Sequence, residues 1–304
     1  MSFYQSIIIG SGPAGYTAGI YLARAGFNTL LITGRQLGGQ LTLTHQIDNY
    51  PGTPHVSGIQ LMEILHKQAQ ESGVNFLNEE VVNLTLEASP FQITTETSEL
   101  KASSLIIATG TSAKWLDVKG EAQFKGHGIG ICALCDGPFF KGKEVAVIGG
   151  GNTALYEAIY LSEIVQKVFL VHRESTFKAE KKLIEQVEKN PKIQVFFKTK
   201  VLEFKGGQHL EEMIVKKERK VFSLGVQGAF IAAGHTPNTV LVKPYLEMTK
   251  KGFIKTNKKT MKTSVEGIFA CGDVQEELYR QAIVASGSGC IAALSAEKYL
   301  LKTI

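Results

Sequence analysis

One pattern, a strand, a glycine-rich turn, a helix and a second strand, occurs twice in the chain. The first copy extends from Ser6 to Ile32 and the second from Glu144 to Val171. In both copies the turn directly follows a β-branched strand and opens a helix, which is the context that makes a Gly-x-Gly-x-x-Gly motif informative. The sequence therefore predicts two βαβ units. The turns consist of Gly10, Ser11, Gly12, Pro13, Ala14 and Gly15 in the first copy, and of Gly149, Gly150, Gly151, Asn152, Thr153 and Ala154 in the second.

Each position in such a turn has a physical role. The first glycine permits the tight turn, the second lets the backbone approach a pyrophosphate, and the third position lets helix and strand pack closely. The phosphates then lie against the positive end of the helix. The alternative is that the glycines serve only a tight turn between strand and helix. Two dinucleotide sites in one chain would hold two cofactors, as expected where electrons pass from one to the other.

Composition excludes several other classes of protein. The chain has 304 residues, of which 44% are hydrophobic, and a formal net charge of +5. Its lysines are scattered over residues 167–262 rather than gathered in a block, which favours a solvated surface over a nucleic-acid groove. No apolar run reaches the length of a membrane span, so we expect a soluble, cytoplasmic protein.

The remaining apolar strands place the domain boundaries. Segments 105–110, 229–234 and 267–273 each read as a buried strand that runs into a glycine turn. We predict a discontinuous first domain, residues 1–114 plus 245–304, and an inserted second domain, residues 115–244. Short strands within 111–119 and 236–246 would link the two domains and form a natural hinge.

The two cysteines of Cys132-Ala133-Leu134-Cys135 stand close together, and Asp136 follows them at once. A zinc site would need a second pair of ligands, and Cys271 and Cys290 have no suitably spaced histidine beside them. Glycines and an acid surround the pair, which disfavours a buried inert role. A Cys-x-x-Cys sequence closes and reopens a small disulfide ring easily, so we favour redox chemistry. Cys271 and Cys290 are predicted to be small core residues, and no metal site is predicted.

Motifs along the whole chain resemble those of the low-molecular-weight, bacterial-type thioredoxin reductases, which are class II pyridine nucleotide-disulfide oxidoreductases. They occur in the family's order. The matching segments are Gly10-Ser11-Gly12-Pro13-Ala14-Gly15-Tyr16-Thr17-Ala18, Gly38-Gly39-Gln40-Leu41, Asp48-Asn49-Tyr50-Pro51-Gly52, Cys132-Ala133-Leu134-Cys135-Asp136-Gly137, Gly149-Gly150-Gly151-Asn152-Thr153-Ala154, Gly234-His235-Thr236-Pro237-Asn238, Gly272-Asp273-Val274 and Tyr279-Arg280-Gln281-Ala282.

The resemblance implies an α/β fold with two Rossmann-like domains of the three-layer ββα type, the NAD(P) domain being inserted into the FAD domain. It also implies a homodimeric enzyme that passes a hydride from NADPH to FAD, then to the Cys132–Cys135 disulfide, and finally reduces thioredoxin. Cys135 would face the flavin, Cys132 would attack the thioredoxin disulfide, and Asp136 would act as the acid/base. Because nicotinamide and disulfide compete for one face of the flavin, the inserted domain is expected to rotate between half-reactions.

The resemblance assigns the cofactor contacts as well. Asp136 and Asp273 have simpler alternatives as a turn residue and a helix cap, respectively. Arg280 is predicted at the start of the last helix, where a cation opposes the helix dipole and needs a partner such as a flavin or phosphate oxygen. The FAD contacts would be Gly10, Ser11, Gly12, Pro13, Ala14, Gly15, Arg35, Gln36, Gly39, Gln40, Leu41, Thr42, Asn49, Gly272, Asp273, Arg280, Gln281 and Ala282. The nicotinamide nucleotide contacts would be Gly149, Gly151, Asn152, Thr153, His172, Arg173 and Lys178.

The sequence departs from the family after the second unit's second strand. NADPH-using members carry His-Arg-Arg with a further arginine four residues on, whereas this chain has His172-Arg173-Glu174 and Lys178. A single ammonium replaces a guanidinium fork imperfectly at a 2′-phosphate. Glu174 either repels NADPH, as an acid that holds a ribose 2′-hydroxyl would, or points to solvent while Arg173 and Lys178 bind the phosphate. We expect NADPH, with less discrimination against NADH than usual.

Four other readings were weighed on the same fold. A flavin-dependent dithiol oxidase or a ferredoxin-fed thioredoxin reductase would not need a working nicotinamide site. A non-catalytic redox sensor would bind nucleotides without turnover, and the Cys132, Cys135 and Asp136 set disfavours it. An alkyl hydroperoxide reductase flavoprotein usually carries an extra N-terminal disulfide domain, whereas this sequence begins at the first predicted strand.

Overall fold

The structure is a computed structural model that describes residues 2–44 and 46–303. Short 3-10 turns lie at Gly39–Leu43, Gly137–Phe140 and Gly272–Val274. The helices are α1 (Pro13–Arg24), α2 (Gly58–Glu71), α3 (Glu121–Phe124), α4 (Ala133–Asp136), α5 (Asn152–Ile164), α6 (Lys181–Lys189) and α7 (Ala282–Thr303). The strands are β1 (Ser2–Ile9), β2 (Thr29–Ile32), β3 (Asn75–Leu77), β4 (Val81–Thr85), β5 (Phe91–Thr95), β6 (Glu99–Ile107), β7 (Thr111–Ala113), β8 (Ile129–Gly130), β9 (Glu144–Ile148), β10 (Lys167–Val171), β11 (Ile193–Phe196), β12 (Thr199–Gly206), β13 (Leu210–Lys217), β14 (Lys220–Gly225), β15 (Gly228–Ile231), β16 (His235–Pro237) and β17 (Ile268–Ala270).

The chain divides into two compact units. The first comprises Met1–Thr42, Ile47–Ser112 and Thr236–Ile304, and the second comprises Leu43–Gln46 and Ala113–His235. The main crossings thus fall after residues 112 and 235, where the sequence analysis had placed them after 114 and 244. Residues 236–244 belong with the first unit because Asn238 N donates to Gly110 O at 3.0 Å and Thr239 Oγ1 donates to Gly252 O at 3.0 Å.

The sheet of the first unit has the order β3-β2-β1-β6-β5-β4, with β17 also paired to β6. Strands β3, β2, β1, β6 and β17 run parallel, whereas β4, β5 and β6 pair antiparallel. Strand β6 belongs to both parts: Ala102 pairs with Phe91 of β5, and Leu105 further along pairs with Ile268 of β17. One strand therefore joins a parallel sheet to an antiparallel β-meander.

The side chains of β1 point alternately to the two faces of this sheet, and a different layer covers each face. Ile8 faces the helical layer and packs with residues such as Leu22 and Ala292, whereas Ile7 and Ile9 face the other side and pack with residues such as Phe91. Successive side chains of a strand point to opposite faces, so an apolar run such as 7–9 fits a strand buried on both sides. The unit therefore has three layers, β-meander, parallel sheet and helices.

The second unit repeats this architecture. Its parallel sheet has the order β11-β10-β9-β15-β8, and β12, β13 and β14 form a separate antiparallel sheet. Val145 and Val147 pack with the α5 and α6 side, while Ala146 and Ile148 pack with the antiparallel sheet. The predicted α/β fold, with two Rossmann-like units of the three-layer type, is confirmed.

Among the described residues, no helix has the length and apolar character that crossing a membrane requires.

Close packing of backbone atoms determines which positions of the first glycine turn must be glycine. Gly10 has a φ of +114°, and a Cβ there would lie 2.3 Å from the carbonyl oxygen of Ala108. A Cβ on Gly15 would lie 1.8 Å from the carbonyl oxygen of Gly10, so α1 packs directly on the turn that precedes it. By contrast, a Cβ on Gly12 would meet nothing within 4 Å. The first and third glycines are therefore required by packing, whereas the second borders open space.

Replacing Gly15 by alanine should destabilise the first unit, because backbone rather than a flexible side chain occupies the space. We expect the free energy of unfolding to fall by about 3 kcal/mol. Gly12→Ala is the matched control: Gly12 has a φ of −74°, which alanine adopts easily, so we expect a change below about 1 kcal/mol. Urea unfolding of the ligand-free variants, followed by circular dichroism, measures both values. Equal destabilisation of the two variants would contradict this account.

Candidate active site

Helix α1 begins at the first glycine turn without the usual cap. Gly12 is its extended N-cap residue, makes no side-chain capping hydrogen bond, and no acidic residue occupies the first turn. Helix α2 differs, since Ser57 and Gln60 form a complete capping box. Uncapped N–H groups next to open space at Gly12 attract an anion, and a pyrophosphate fits both the charge and the room.

Ser11 and the 36–42 segment form one rim of this turn. The buried Ser11 Oγ donates to Thr33 O at 3.0 Å and accepts from Gly38 N at 3.1 Å. A Cβ on Gly39 would lie 3.8 Å from the Cα of Gly12, so the two turns are neighbours. Gln36, Gln40 and Thr42 tie the segment down: Gln36 Nε2 and Thr42 Oγ1 donate to Gly39 O at 3.1 and 2.8 Å, and Gln40 Nε2 donates to Thr111 O. Leu41 packs against the helical core.

Arg35 is engaged elsewhere. Its exposed guanidinium pairs with Glu80 at 3.0 Å and with Glu96 at 2.6 Å. These carboxylates, Glu96 first, raise its pKa above the ordinary value. The structure therefore gives Arg35 two protein partners, and its predicted contact with FAD stays a prediction.

Segments distant in sequence complete the first site. Asn49 Nδ2 donates to Gln281 Oε1 at 3.3 Å, which places the 49 loop at the start of α7. A Cβ on Gly272 would lie 2.9 Å from the Cβ of Ala14, so the Gly272–Val274 turn lies against the first turn of α1. Most predicted FAD contacts are thus brought to one edge of the sheet, where β1, β6 and β17 end.

The charge of Arg280 acts on the carboxyl of Asp273 at this edge. Burial raises the pKa of the Asp273 carboxyl to about 6, and the positive charge of Arg280 works in the opposite direction. Arg280 precedes α7 rather than beginning it, and its Nη1 donates to Glu277 O at 2.9 Å. Ala282 is the first residue of α7.

The second glycine turn reproduces the geometry of the first. Gly151 is the extended N-cap residue of α5 and makes no side-chain cap, and no acidic residue lies in the first turn. A Cβ on Gly149 would lie 2.5 Å from Ala232 O, whereas one on Gly151 would meet only Lys178 O at 3.9 Å. Thr153 is exposed in the first turn of α5. This turn also offers free N–H groups to an anion.

Asn152 is held by a partner that the sequence analysis missed. Its Nδ2 donates to Glu180 Oε1 at 2.9 Å, and its Oδ1 accepts from Glu180 N at 2.9 Å. Lys178 N donates to Gly150 O at 2.8 Å, so the 178–180 segment is fastened to the glycine turn. This places Lys178 beside the turn, and the amide of Asn152 supports the segment instead of facing open space.

His172 is buried beneath the turn. Its ring fills the space that a Cβ on Gly150 would need, stacks on Phe177 at 5.8 Å, and has Nε2 3.1 Å from Thr176 O. Burial lowers the pKa of His172, so the ring is neutral at pH 7. A neutral, buried ring supports the loop, and the predicted contact of His172 with the nicotinamide nucleotide stays a prediction.

Arg173 and Glu174 point to solvent and pair with each other. Arg173 Nε lies 3.3 Å from Glu174 Oε1, and both side chains are at least half exposed. Glu174 stands where the NADPH-using family members carry an arginine. Because it pairs with Arg173, it reduces the positive charge that Arg173 offers.

The two redox cysteines form a disulfide, with their Cα atoms 5.3 Å apart. Cys132 is the N-cap residue of α4, and its Sγ accepts from Cys135 N at 3.2 Å. Ala133 is fully buried in the core that includes α5, and its N–H donates to Glu157 Oε1 at 3.4 Å. Leu134, between the cysteines, is 55% exposed. The loop is thus anchored at Ala133, and the N–H of Cys135 is placed to stabilise a thiolate on Cys132.

Asp136 lies against the strand edge next to this disulfide. A Cβ on Gly130 would lie 2.7 Å from Asp136 Oδ2, so the absence of a side chain at residue 130 makes room for the carboxyl. Burial raises the pKa of Asp136 to about 6. A carboxyl with such a pKa exchanges a proton readily near neutral pH.

The other cysteines differ from each other. Cys271 is fully buried, and burial raises the pKa of its thiol to about 12, which confirms it as a core residue. Cys290 is only partly buried and interacts with Tyr21, so its prediction as a core residue was wrong. It lies on α7 where that helix reaches the surface. No group of three or more potential metal ligands occurs within residues 2–44 and 46–303.

Comparison with known proteins agrees with this geometry. Residues 4–289 match the pyridine nucleotide-disulphide oxidoreductase family model. The chain is 45% identical to the thioredoxin reductase of Rickettsia felis over 303 residues, covering 97% of this chain and 98% of that protein. It is 43% identical to the thioredoxin reductase of Coxiella burnetii over 312 residues, covering 98% and 96%. The solved thioredoxin reductase from Giardia duodenalis superposes with a TM-score of 0.94 and 38% identity, over 99% of this chain and 100% of that chain. The chain is an oxidoreductase that belongs to the pyridine nucleotide-disulphide oxidoreductase family and, within it, to the thioredoxin reductases.

Proposed function

We propose that this protein is an NADPH-dependent, FAD-containing reductase of thioredoxin. The observation that carries the proposal is the Cys132–Cys135 disulfide, with the partly buried Asp136 beside it, in the same unit as a nucleotide-type glycine turn. A second turn of the same type lies in the other unit. Two nucleotide sites and one dithiol are the parts that a nicotinamide-to-disulfide reductase needs.

The residues of the first unit fit FAD. The open side of Gly12 and the uncapped start of α1 suit its pyrophosphate, and the Gly272–Asp273 turn suits its ribityl hydroxyls. Asn49 and Gln281 lie together at the same edge and offer polar atoms. When bound, FAD supplies a two-electron carrier between NADPH and the cysteine pair.

The residues of the second unit fit a nicotinamide nucleotide. The start of α5 at Gly151 would hold its pyrophosphate. Arg173 and Lys178 would hold the 2′-phosphate, with Glu174 reducing the charge that Arg173 offers. NADH is therefore expected as a poorer but usable alternative.

The reduced cysteine pair performs the last step by thiol–disulfide exchange. The Cys132 thiolate attacks one sulfur of the thioredoxin disulfide, which forms a mixed disulfide and releases the other thioredoxin sulfur as a thiolate. Cys135 then attacks Cys132 Sγ, which restores the Cys132–Cys135 disulfide and releases the second thioredoxin sulfur. Asp136 is placed to give or take the proton that each thiolate gains or loses.

The proposal includes three features that depend on the resemblance. The chain would act as a homodimer, in the cytoplasm, where a reducing compartment suits a dithiol enzyme. The inserted unit would rotate between half-reactions. The main crossings between the units lie after residues 112 and 235, and such a rotation would turn about these connections.

A flavin-dependent dithiol oxidase or a ferredoxin-fed reductase is the second candidate, and the Arg173–Glu174 pair is the observation that favours it. Neither needs a strong 2′-phosphate site. Anaerobic mixing of the FAD-loaded protein with NADPH or NADH separates the candidates. Flavin bleaching supports the proposal, and no bleaching with either nucleotide would support the alternatives.

The main test is thioredoxin-dependent oxidation of NADPH. We expect Cys132→Ser and Cys135→Ser each to lower turnover by about 10³-fold or more, because neither can complete the exchange. Both variants should keep FAD bound, as read from the flavin absorbance. A double-serine variant that still reduces thioredoxin would refute the proposed role of the pair.

Asp136→Asn should raise stability while lowering activity. Because the pKa of Asp136 is raised in the folded state, ionising it costs stability as pH rises from about 4 through about 6, and the cost persists above that range. In the oxidised protein at pH 7.5 we expect the variant to gain about 1–3 kcal/mol, and the gain to vanish near pH 4. Thioredoxin reduction should fall by about 10²-fold. Urea unfolding at both pH values and steady-state rates measure these effects.

The control for this variant is Glu163→Gln, which removes an exposed carboxylate from the same unit and should change neither stability nor rate. Unchanged turnover in Asp136→Asn would rule out the acid/base role.

Glu174→Arg should improve recognition of the 2′-phosphate. The change frees Arg173 from its ion pair and adds a second guanidinium. We expect the dissociation constant of 2′,5′-ADP to fall by about 10-fold, with little change for 5′-AMP. Calorimetry gives both constants. Glu188→Arg makes the same charge change on the exposed side of α6 and serves as control; an equal effect of the two variants would mean that only overall charge matters.

A further inference from the structure

A buried amide, Gln275, lies just after the Gly272–Val274 turn and has no place in the site described so far. Gln275 is only 4% exposed, and both polar atoms of its side chain have hydrogen-bond partners. Nε2 donates to Gly272 O at 3.2 Å, and Oε1 accepts from Lys258 Nζ at 2.7 Å and from Thr256 Oγ1 at 3.1 Å. A buried amide whose oxygen and nitrogen both have partners helps to fix the groups around it.

Lys258 strengthens this arrangement with its charge. Its Nζ donates to the backbone oxygen of Gln275 at 2.8 Å as well as to the side chain, and lies 3.7 Å from Glu276 Oε2. One ammonium group therefore holds the main chain and the side chain of the same residue. Hydrogen bonds from a charged donor are stronger than neutral ones.

Gly272 is held from its other side too. Its N–H donates to Ser288 Oγ at 2.8 Å, and Ser288 Oγ donates to Ala285 O at 2.8 Å. With a φ of +73°, Gly272 turns the chain sharply, and a Cβ would collide with Ala14. Both peptide groups of Gly272 are thus fixed, so the next residue, Asp273, has little freedom. The N–H is held by α7, and the carbonyl accepts from the backbone N–H of Gln275 at 3.2 Å as well as from its side-chain amide.

We propose that Gln275 and Lys258 form a clamp that positions Asp273 for the cofactor of the first unit. Gln275 is a positioning residue: it holds the Gly272 carbonyl, and through it sets the direction of the Asp273 carboxyl. The inference rests on the proposed function, in which that carboxyl binds the ribityl chain of FAD.

FAD affinity measured on the apoprotein tests the clamp. Quenching of flavin fluorescence during reconstitution gives the dissociation constant. Gln275→Met, which keeps the length of the side chain but loses its hydrogen bonds, should raise that constant by about 10-fold. Gln275→Glu keeps the contact with Lys258 but cannot donate to Gly272 O while it is ionised, so it should weaken binding also.

Variants of Lys258 separate the clamp from general charge effects. Lys258→Met should raise the dissociation constant by about 3- to 10-fold, and Lys258→Arg should restore most of the affinity. Lys259→Met, the same change at the exposed neighbouring lysine, should leave affinity as in the parent protein. Equal losses for Lys258→Met and Lys259→Met would overturn the clamp.

A double-mutant cycle shows whether Gln275 acts through Asp273. Asp273→Asn should weaken FAD binding, and Gln275→Met should add little in that background. Full additivity of the two losses would mean that Gln275 has a merely structural role and would overturn the inference, as would parental affinity in both Gln275 variants. Failure of the proposed function looks different, since the parent protein itself would then bind no FAD.

Discussion

The close contact between Gly15 and the carbonyl oxygen of Gly10 determines where the first unit can bind a phosphate group. It seats α1 on the end of β1 so tightly that no side chain fits between them. The end of β1 is also where β6 and β17 end, since all three run parallel. Loops that follow these strands must therefore meet in front of the α1 N-terminus, and a phosphate is the group that this positive end favours.

The second unit uses the same solution with different residues. Ala154 takes the place of Gly15, and its Cβ is part of what a Cβ on Gly149 would strike, at 2.8 Å. The buried ring of His172 fills the space beside Gly150, and Glu180 fastens the following segment through Asn152. Packing thus holds the turn rigid, while Gly151 alone keeps its open side. The redox loop is anchored to the same helix through Ala133, so one element, α5, supports both the nucleotide turn and the disulfide.

Local patterns predicted much of this, and long-range contacts account for the rest. Both βαβ units followed from strand composition and glycine spacing, and the three-layer fold followed from the family resemblance. Contacts such as Asn49 with Gln281, 232 residues apart, leave no local signal. His172 was predicted as a contact of the nicotinamide nucleotide by its place in a motif, whereas its burial depends on how the following loop packs. Cys290 looked like a core residue in an apolar helix, yet helix α7 is partly exposed along its length.

The partly buried carboxyls of Asp136 and Asp273 show how one physical effect serves two purposes. Burial raises the pKa of Asp136 and of Asp273 to about 6 in each case. For Asp273 the charge of Arg280 favours the ionised form and that of Glu276 opposes it, and the fixed turn at Gly272 holds the residue in place. For Asp136 burial is the one cause of the shift, and the cysteine pair beside it changes charge whenever the disulfide opens. A carboxyl whose ionised form a cation favours suits binding, whereas a carboxyl that follows a cysteine pair of changing charge suits proton exchange.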